Sequence, residues 1–177
     1  GVRGDEGASR GHLVASDPKM PRVDLDEVLT GTAGGLTILS DLPSSLAEGA
    51  WVAARLGAPN LTGREATETI IRSLLTQSQV IHFATHAVVT EYASQARQSF
   101  LAFAPDQSND GLFTVGELLG MPDGSVPARL VVLSACQTAI GPVRFIEGTM
   151  GLQRAFLAKG AESVLASLWS VNDEATD

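Results

Sequence analysis

Two apolar runs, Val80-Ile-His-Phe-Ala84 and Arg129-Leu-Val-Val-Leu-Ser-Ala135, stand out because apolar positions follow one another instead of alternating with polar ones. A strand with one face in water alternates, so a continuous run predicts a strand covered by helices on both faces. Phe100-Leu-Ala-Phe-Ala104 and Ser163-Val-Leu-Ala-Ser-Leu168 read the same way. Two shorter runs, His12 to Ala15 and Leu36 to Leu39, are predicted strands closed by Ser16-Asp17-Pro18 and by Asp41 and Pro43. Ala66, Ile70, Ile71, Leu74 and Leu75 recur at helical spacing behind Thr62 and Glu65, which have the spacing of a capping box. Ser45 and Glu48 repeat that spacing and predict a helix from about Leu46 to Leu56, stopped by Gly57. Thr114 and Glu117 open a short predicted helix, and a longer one runs from about Gly148 to Lys159, stopped by Gly160. Val23 to Gly35 carries no pattern that assigns it. Strands alternating with helices predict an α/β sandwich with a mostly parallel sheet.

Composition narrows the class of protein. A chain of 177 residues, 44% hydrophobic, suffices for one substantial core and is short for two domains. Its formal net charge of −8 and scattered basic residues speak against nucleic acid or anionic lipid as partner. No apolar run approaches the roughly 20 residues that span a bilayer, and no basic-then-apolar leader opens the chain. A soluble, cytoplasmic protein is the expectation. Gly1 to Gly11, with four glycines and almost no large apolar side chain, reads as a linker or tail, and with no initiator Met the chain reads as a piece of a longer protein.

The single cysteine, Cys136, can make no internal disulfide and no multi-thiolate metal site. It follows one of the apolar runs as Ser134-Ala-Cys-Gln-Thr138, while the other ends in Ala84-Thr-His-Ala87. In open α/β sheets, catalytic groups collect beyond the carboxyl ends of adjacent central strands. An imidazole beside a thiol favours the nucleophilic thiolate and then protonates a leaving amine. Cys136 and His86 therefore form a candidate dyad, and the backbone amides of Cys136 and Ala87 a candidate oxyanion hole. By position alone, a lone strand-end Cys is more often inert packing, and a lone His a hydrogen-bonded core residue. Their separation of fifty positions shifts the balance: caspases place the His about that far upstream of a Gln-Ala-Cys-x-Gly signature, here Ser-Ala-Cys-Gln-Thr. Metal catalysis has little support, since His12, His82 and His86 are the only histidines and none has a ligand at helical spacing. No Gly-Lys-Ser or Gly-Lys-Thr closes a phosphate loop, and no cofactor is expected.

Five blocks carry a resemblance: Val80 to Ala87, Asp110-Gly-Leu-Phe-Thr-Val-Gly-Glu-Leu118, Leu130 to Thr138, Glu147-Gly-Thr-Met-Gly-Leu-Gln-Arg-Ala-Phe156 and Ser167-Leu-Trp-Ser-Val-Asn-Asp173. With Asp17-Pro18 and Gly63 to Thr67, the chain resembles the CHAT domain, the bacterial branch of the caspase and separase peptidase clan, often fused to tetratricopeptide repeats. The resemblance covers roughly residues 12 to 177. It implies a caspase-like three-layer sandwich with a mostly parallel central sheet flanked by helices. It implies a cysteine endopeptidase in which His86 is the catalytic histidine, Cys136 the nucleophile and His82 a structural strand residue.

The resemblance further implies a bacterial signalling or defence protein with a protein or peptide substrate and a repeat or sensor region in the parent or a partner chain. By the same resemblance, a carboxylate after the strand that follows the cysteine strand reads a basic P1 side chain. Asp173 stands in that place and Asp17 is placed to add to the acidic pocket. Asp173 fits equally well as a helix cap. Two departures are visible: an insert at about residues 19 to 41, and an end at Asp177 where similar domains continue, so the domain reads as truncated. A catalytically silent interaction module, or thiol chemistry other than proteolysis, are the rival functions.

Overall fold

The computed structural model describes residues 11–30, 32, 34–90, 93–134, 136–137 and 145–166, with the side chains of all but 29–30, 93–94, 136–137 and 145–150. The chain begins with β1 (Gly11–Pro18), β2 (Arg22–Asp24), α1 (Leu25–Thr30), β3 (Leu36–Ile38), α2 (Pro43–Leu56) and β4 (Asn60–Gly63). It continues with α3 (Glu68–Leu75), β5 (Ser78–Ala84), β6 (His86–Val88), β7 (Phe100–Ala102), β8 (Leu112–Thr114) and α4 (Val115–Gly120). Strand β9 (Leu130–Leu133), β10 (Cys136–Gln137), α5 (Phe145–Ala158) and β11 (Val164–Ala166) complete it.

Five strands form one sheet in the order β11-β9-β5-β1-β4, all parallel. Side chains one position apart on a strand point to opposite faces, and both faces are covered. Leu13, Ala15, Ile81, Phe83, Val131 and Leu133 form one core with Ile71 and Leu75 of α3, Leu118 of α4, and Leu152 and Phe156 of α5. Phe83 meets Phe103 edge-on with ring centroids 5.1 Å apart. Each of these large side chains contributes about 1.5–3 kcal/mol by leaving water. The opposite face, with Val14, Ser16 and His82, lies under α2. This is the α/β sandwich with a parallel sheet that the alternation of strands and helices predicts, in the three-layer, caspase-like form that the resemblance implies.

The run Phe100 to Ala104 departs from expectation. It is wholly buried, but it belongs to a second sheet in the order β10-β6-β7-β8, in which β7 runs antiparallel to β6 and β8. Its apolar continuity comes from lying between two cores, with Leu101 and Phe103 in the first and Phe100 and Ala102 in a second. Val88, Phe100 and Ala102 pack there against Met20, Val23, Leu25, Leu39 and Leu42. Residues 19–41, read above as an insert, supply β2, α1 and β3, and Met20, Val23, Leu25 and Leu39 from this segment close over the second sheet.

Two helix starts also differ. Helix α2 begins at Pro43, not near Leu46, because proline at the first helical position has its φ preset and no amide to satisfy. Ser45 lies inside the first turn, its hydroxyl donating to the Leu42 carbonyl at 2.8 Å, and Glu48 reaches His82 instead of boxing the start. Helix α3 begins at Glu68 with Thr67 as its cap, since Asn60 to Gly63 pairs with β1 as a strand. At α4 the expected capping box forms: Thr114 accepts from the Glu117 amide, and Glu117 accepts from the Thr114 amide at 2.9 Å. Gly57 ends α2 in the left-handed conformation. Among the described residues no helix is long and apolar enough to cross a membrane.

Gly49 lets α2 lie directly on β1. A side-chain carbon there would overlap Ser16 and the Asn60 oxygen, which are themselves joined by a 3.0 Å hydrogen bond. Gly49→Ala is therefore expected to destabilise the domain by about 1–3 kcal/mol through overpacking, despite the better helix propensity of alanine. Urea denaturation reads the shift in midpoint, and an unchanged or raised midpoint refutes the close-packing account.

Candidate active site

Strands β5 and β9 are neighbours in the central sheet, with Phe83 opposite Leu133. At their carboxyl ends both chains leave that sheet and enter the second one. The crossing is pinned twice: the Ser134 amide donates to the Phe83 carbonyl at 2.9 Å, and the buried Thr85 hydroxyl donates to the Ala102 carbonyl of β7 at 2.6 Å. Past the crossing, β6 and β10 pair in parallel, with Cys136 opposite His86 and Gln137 opposite Ala87. The backbone thus brings the candidate nucleophile and base to facing positions on adjacent strands, and Ala87 one step beyond.

His86 is buried, only 1% exposed. Its Nε2 lies 2.7 Å from the carbonyl oxygen of Ser40. A carbonyl only accepts, so this contact requires the hydrogen on Nε2 and leaves Nδ1, in the neutral ring, with a free lone pair. Nδ1 is buried with no hydrogen-bond partner among the described residues. The imidazole is therefore oriented through Nε2, and Nδ1 is the nitrogen left without a partner among the described residues.

Ser40 follows β3 in the insert, between Leu39, buried in the second core, and Leu42, which precedes α2. Nothing in the sequence singles out Ser40, because it acts through its main-chain oxygen. Asp17, half-buried at the end of β1, has φ 42°, and its Oδ1 accepts from the Leu42 amide at 2.8 Å. Asp173 lies outside the described residues.

His82 occupies β5 on the α2 side, nearly buried, with Nε2 3.0 Å from Glu48 Oε1. The approach is close but lies off the hydrogen-bonding axis for Nε2. Burial opposes ionisation of Glu48, yet the contacts from His82 and Ser134 outweigh it and hold the carboxyl below its ordinary range. His82 thus joins β5 to α2. Among the described residues no group of three or more His, Cys, Asp and Glu side chains is placed to hold a metal ion.

A five-stranded parallel sheet flanked by helices, with Cys136 in register with His86 just beyond two adjacent central strands, is a caspase-like architecture. The CHAT domain family matches residues 3–177, and the chain belongs to that family. The chain is similar to tetratricopeptide repeat protein 28 of Homo sapiens, 31% identical over 189 residues, and to that of Mus musculus, 32% identical over 189 residues. In both cases the match covers 89% of this chain and 7% of the relative, so the chain spans only a small part of those proteins.

Proposed function

We propose that this CHAT domain is a cysteine endopeptidase using Cys136 and His86 as its dyad. The observation that carries the reading is the register of β10 on β6, which sets Cys136 opposite His86 while the Ser40 carbonyl holds Nε2. In this mechanism Nδ1 of His86 takes the Cys136 proton, and the thiolate attacks the scissile carbonyl. The backbone amides of Cys136 and Ala87 stabilise the oxyanion. Nδ1 returns the proton to the departing amine, leaving a thioester. His86 then takes a proton from water, which attacks the thioester and frees the acid and the thiol.

The finer parts of the proposal rest on the family resemblance. A basic P1 residue is read by Asp173, the substrate is a protein or peptide, and the domain, residues 12–177, works in the cytoplasm. The domain belongs to a larger protein with a repeat or sensor region, in keeping with the tetratricopeptide repeats in the names of the two relatives. Treating the full-length parent protein with an arginyl acyloxymethyl ketone tests the reading. The expected result is one adduct, on Cys136, absent from Cys136→Ala and His86→Ala and accompanied by cleavage of a peptide library. No adduct under activating conditions would leave the domain an interaction module. An adduct with a flat cleavage profile would point to thiol chemistry on another acyl group.

A further inference from the structure

We propose that Asp17 is a positioning residue for His86, acting through the backbone of residues 40–42 and not through substrate. The inference rests on the reading of His86 as the base. The pairing of β1 with β4 is irregular between Ala15 and Pro18, and Asp17 sits within that bulge. Bulges re-aim a side chain out of its strand, and they gather beside active sites. Among the described residues Asp17 is also the only non-glycine with positive φ. That conformation is strained for an L-residue, and the proline that follows narrows the choices further. It persists because both sides are fixed: Pro18 pairs with Gly63, and the Lys19 amide donates to the Gly63 carbonyl at 2.7 Å.

The side chain that this strain aims has a defined target. Leu42 precedes the first residue of α2, has no capping side chain of its own, and gives its amide to Asp17 Oδ1. A carboxylate there also meets the positive end of a fourteen-residue helix. Leu39 and Leu42 both pack their side chains in the second core, and the main chain of Leu42 is held in addition from β1. Ser40 spans the interval between those two anchors, and its carbonyl fixes the hydrogen on Nε2 of His86. Without the Asp17 contact Leu42 is held by its side chain alone, its main chain is free to shift, and the Ser40 carbonyl drifts with it. The ring then loses what selects its tautomer, although His86 itself is unchanged.

Three substitutions in the full-length protein separate this role from its alternatives. Asp17→Asn keeps an oxygen acceptor and tolerates positive φ, Asp17→Gly keeps the backbone conformation without the acceptor, and Asp17→Ala keeps neither. Nitrogen NMR of the His86 ring, assigned as the signal missing from His86→Ala, reads the tautomer without any need for catalysis. The expected result is a ring carrying its hydrogen on Nε2 in wild type and in Asp17→Asn, and a mixed population in Asp17→Gly, although Asp17→Gly unfolds close to wild type. On a cleaved peptide, kcat of Asp17→Gly falls about 10- to 100-fold with KM within about threefold, while Asp17→Asn stays within about threefold of wild type in both.

An Asp17→Gly ring identical to wild type overturns the proposal. So does an Asp17→Asn variant as impaired as Asp17→Gly and chiefly in KM for arginyl substrates, because that pattern marks a charge that reads P1. A tautomer that shifts in Asp17→Gly in a protein that cleaves nothing supports the link from Asp17 to His86 and refutes the peptidase reading instead.

Discussion

Replacing His86 with alanine is expected to lower kcat/KM for peptide cleavage about 1,000- to 10,000-fold, the contribution typical of a lost general base that also activates a nucleophile. That is about 4–5.5 kcal/mol of transition-state stabilisation. The folding cost is smaller. The variant loses the hydrogen bond to Ser40, about 0.5–1.5 kcal/mol, together with some packing where the buried ring stood. His86→Gln makes the comparison sharper. Its amide donates to a carbonyl as Nε2 does, so stability recovers in part, but it accepts no proton and activity stays lost. Steady-state kinetics with thermal unfolding of each variant checks the split. Either variant retaining activity within about tenfold of wild type would show that His86 is not the base.

Strands β5 and β9 were legible because a strand buried on both faces must be apolar throughout, and the candidate dyad was legible because each member is a rare residue just past the end of such a run. What stayed hidden acts through the main chain or over long range. Ser40 orients His86 with a carbonyl that any residue would supply, so its identity carries no signal. Asp17 was visible as a polar residue at a strand end, but its partner, the Leu42 amide, lies across an insert whose pattern assigned no element to residues 23–35. Phe100 to Ala104 has the apolarity of a central strand yet lies in the second sheet, because periodicity reports burial and not which core does the burying. Ser45 and Glu48 have capping-box spacing, but Pro43 and the carboxylate of Asp17 open the helix first. Local rules yielded wherever a distant partner offered a better bond.

The fold also carries a carboxylate with an unusual titration, and changing it is expected to reverse the usual benefit of neutral pH. Glu68 opens α3 with its side chain fully enclosed, Oε1 on the Arg72 guanidinium at 3.1 Å and Oε2 buried without a partner among the described residues. Burial, and then the nearby Glu117 charge, push its pKa up to about 7, with Arg72 opposing and Asp110 adding to the rise. Arg72 cannot fully compensate, since the same nitrogen also serves Glu117 at 3.2 Å. The sign follows from proton binding. Below the ordinary value of 4.5 Glu68 is protonated in both folded and unfolded chains and costs nothing; between 4.5 and about 7 only the folded chain keeps the proton, so stability falls as pH rises. Above that range the loss is constant, at most about 3 kcal/mol from this group. Glu68→Gln mimics the protonated side chain at every pH. Its stability should match wild type near about pH 5 and exceed it by about 1–3 kcal/mol near about pH 8, read from urea midpoints at the two values. Equal gaps at both pH values would mean that Glu68 titrates as an ordinary carboxylate. A Glu68→Gln variant less stable than wild type at about pH 8 would mean that the charged pair with Arg72 outweighs the burial of the carboxylate.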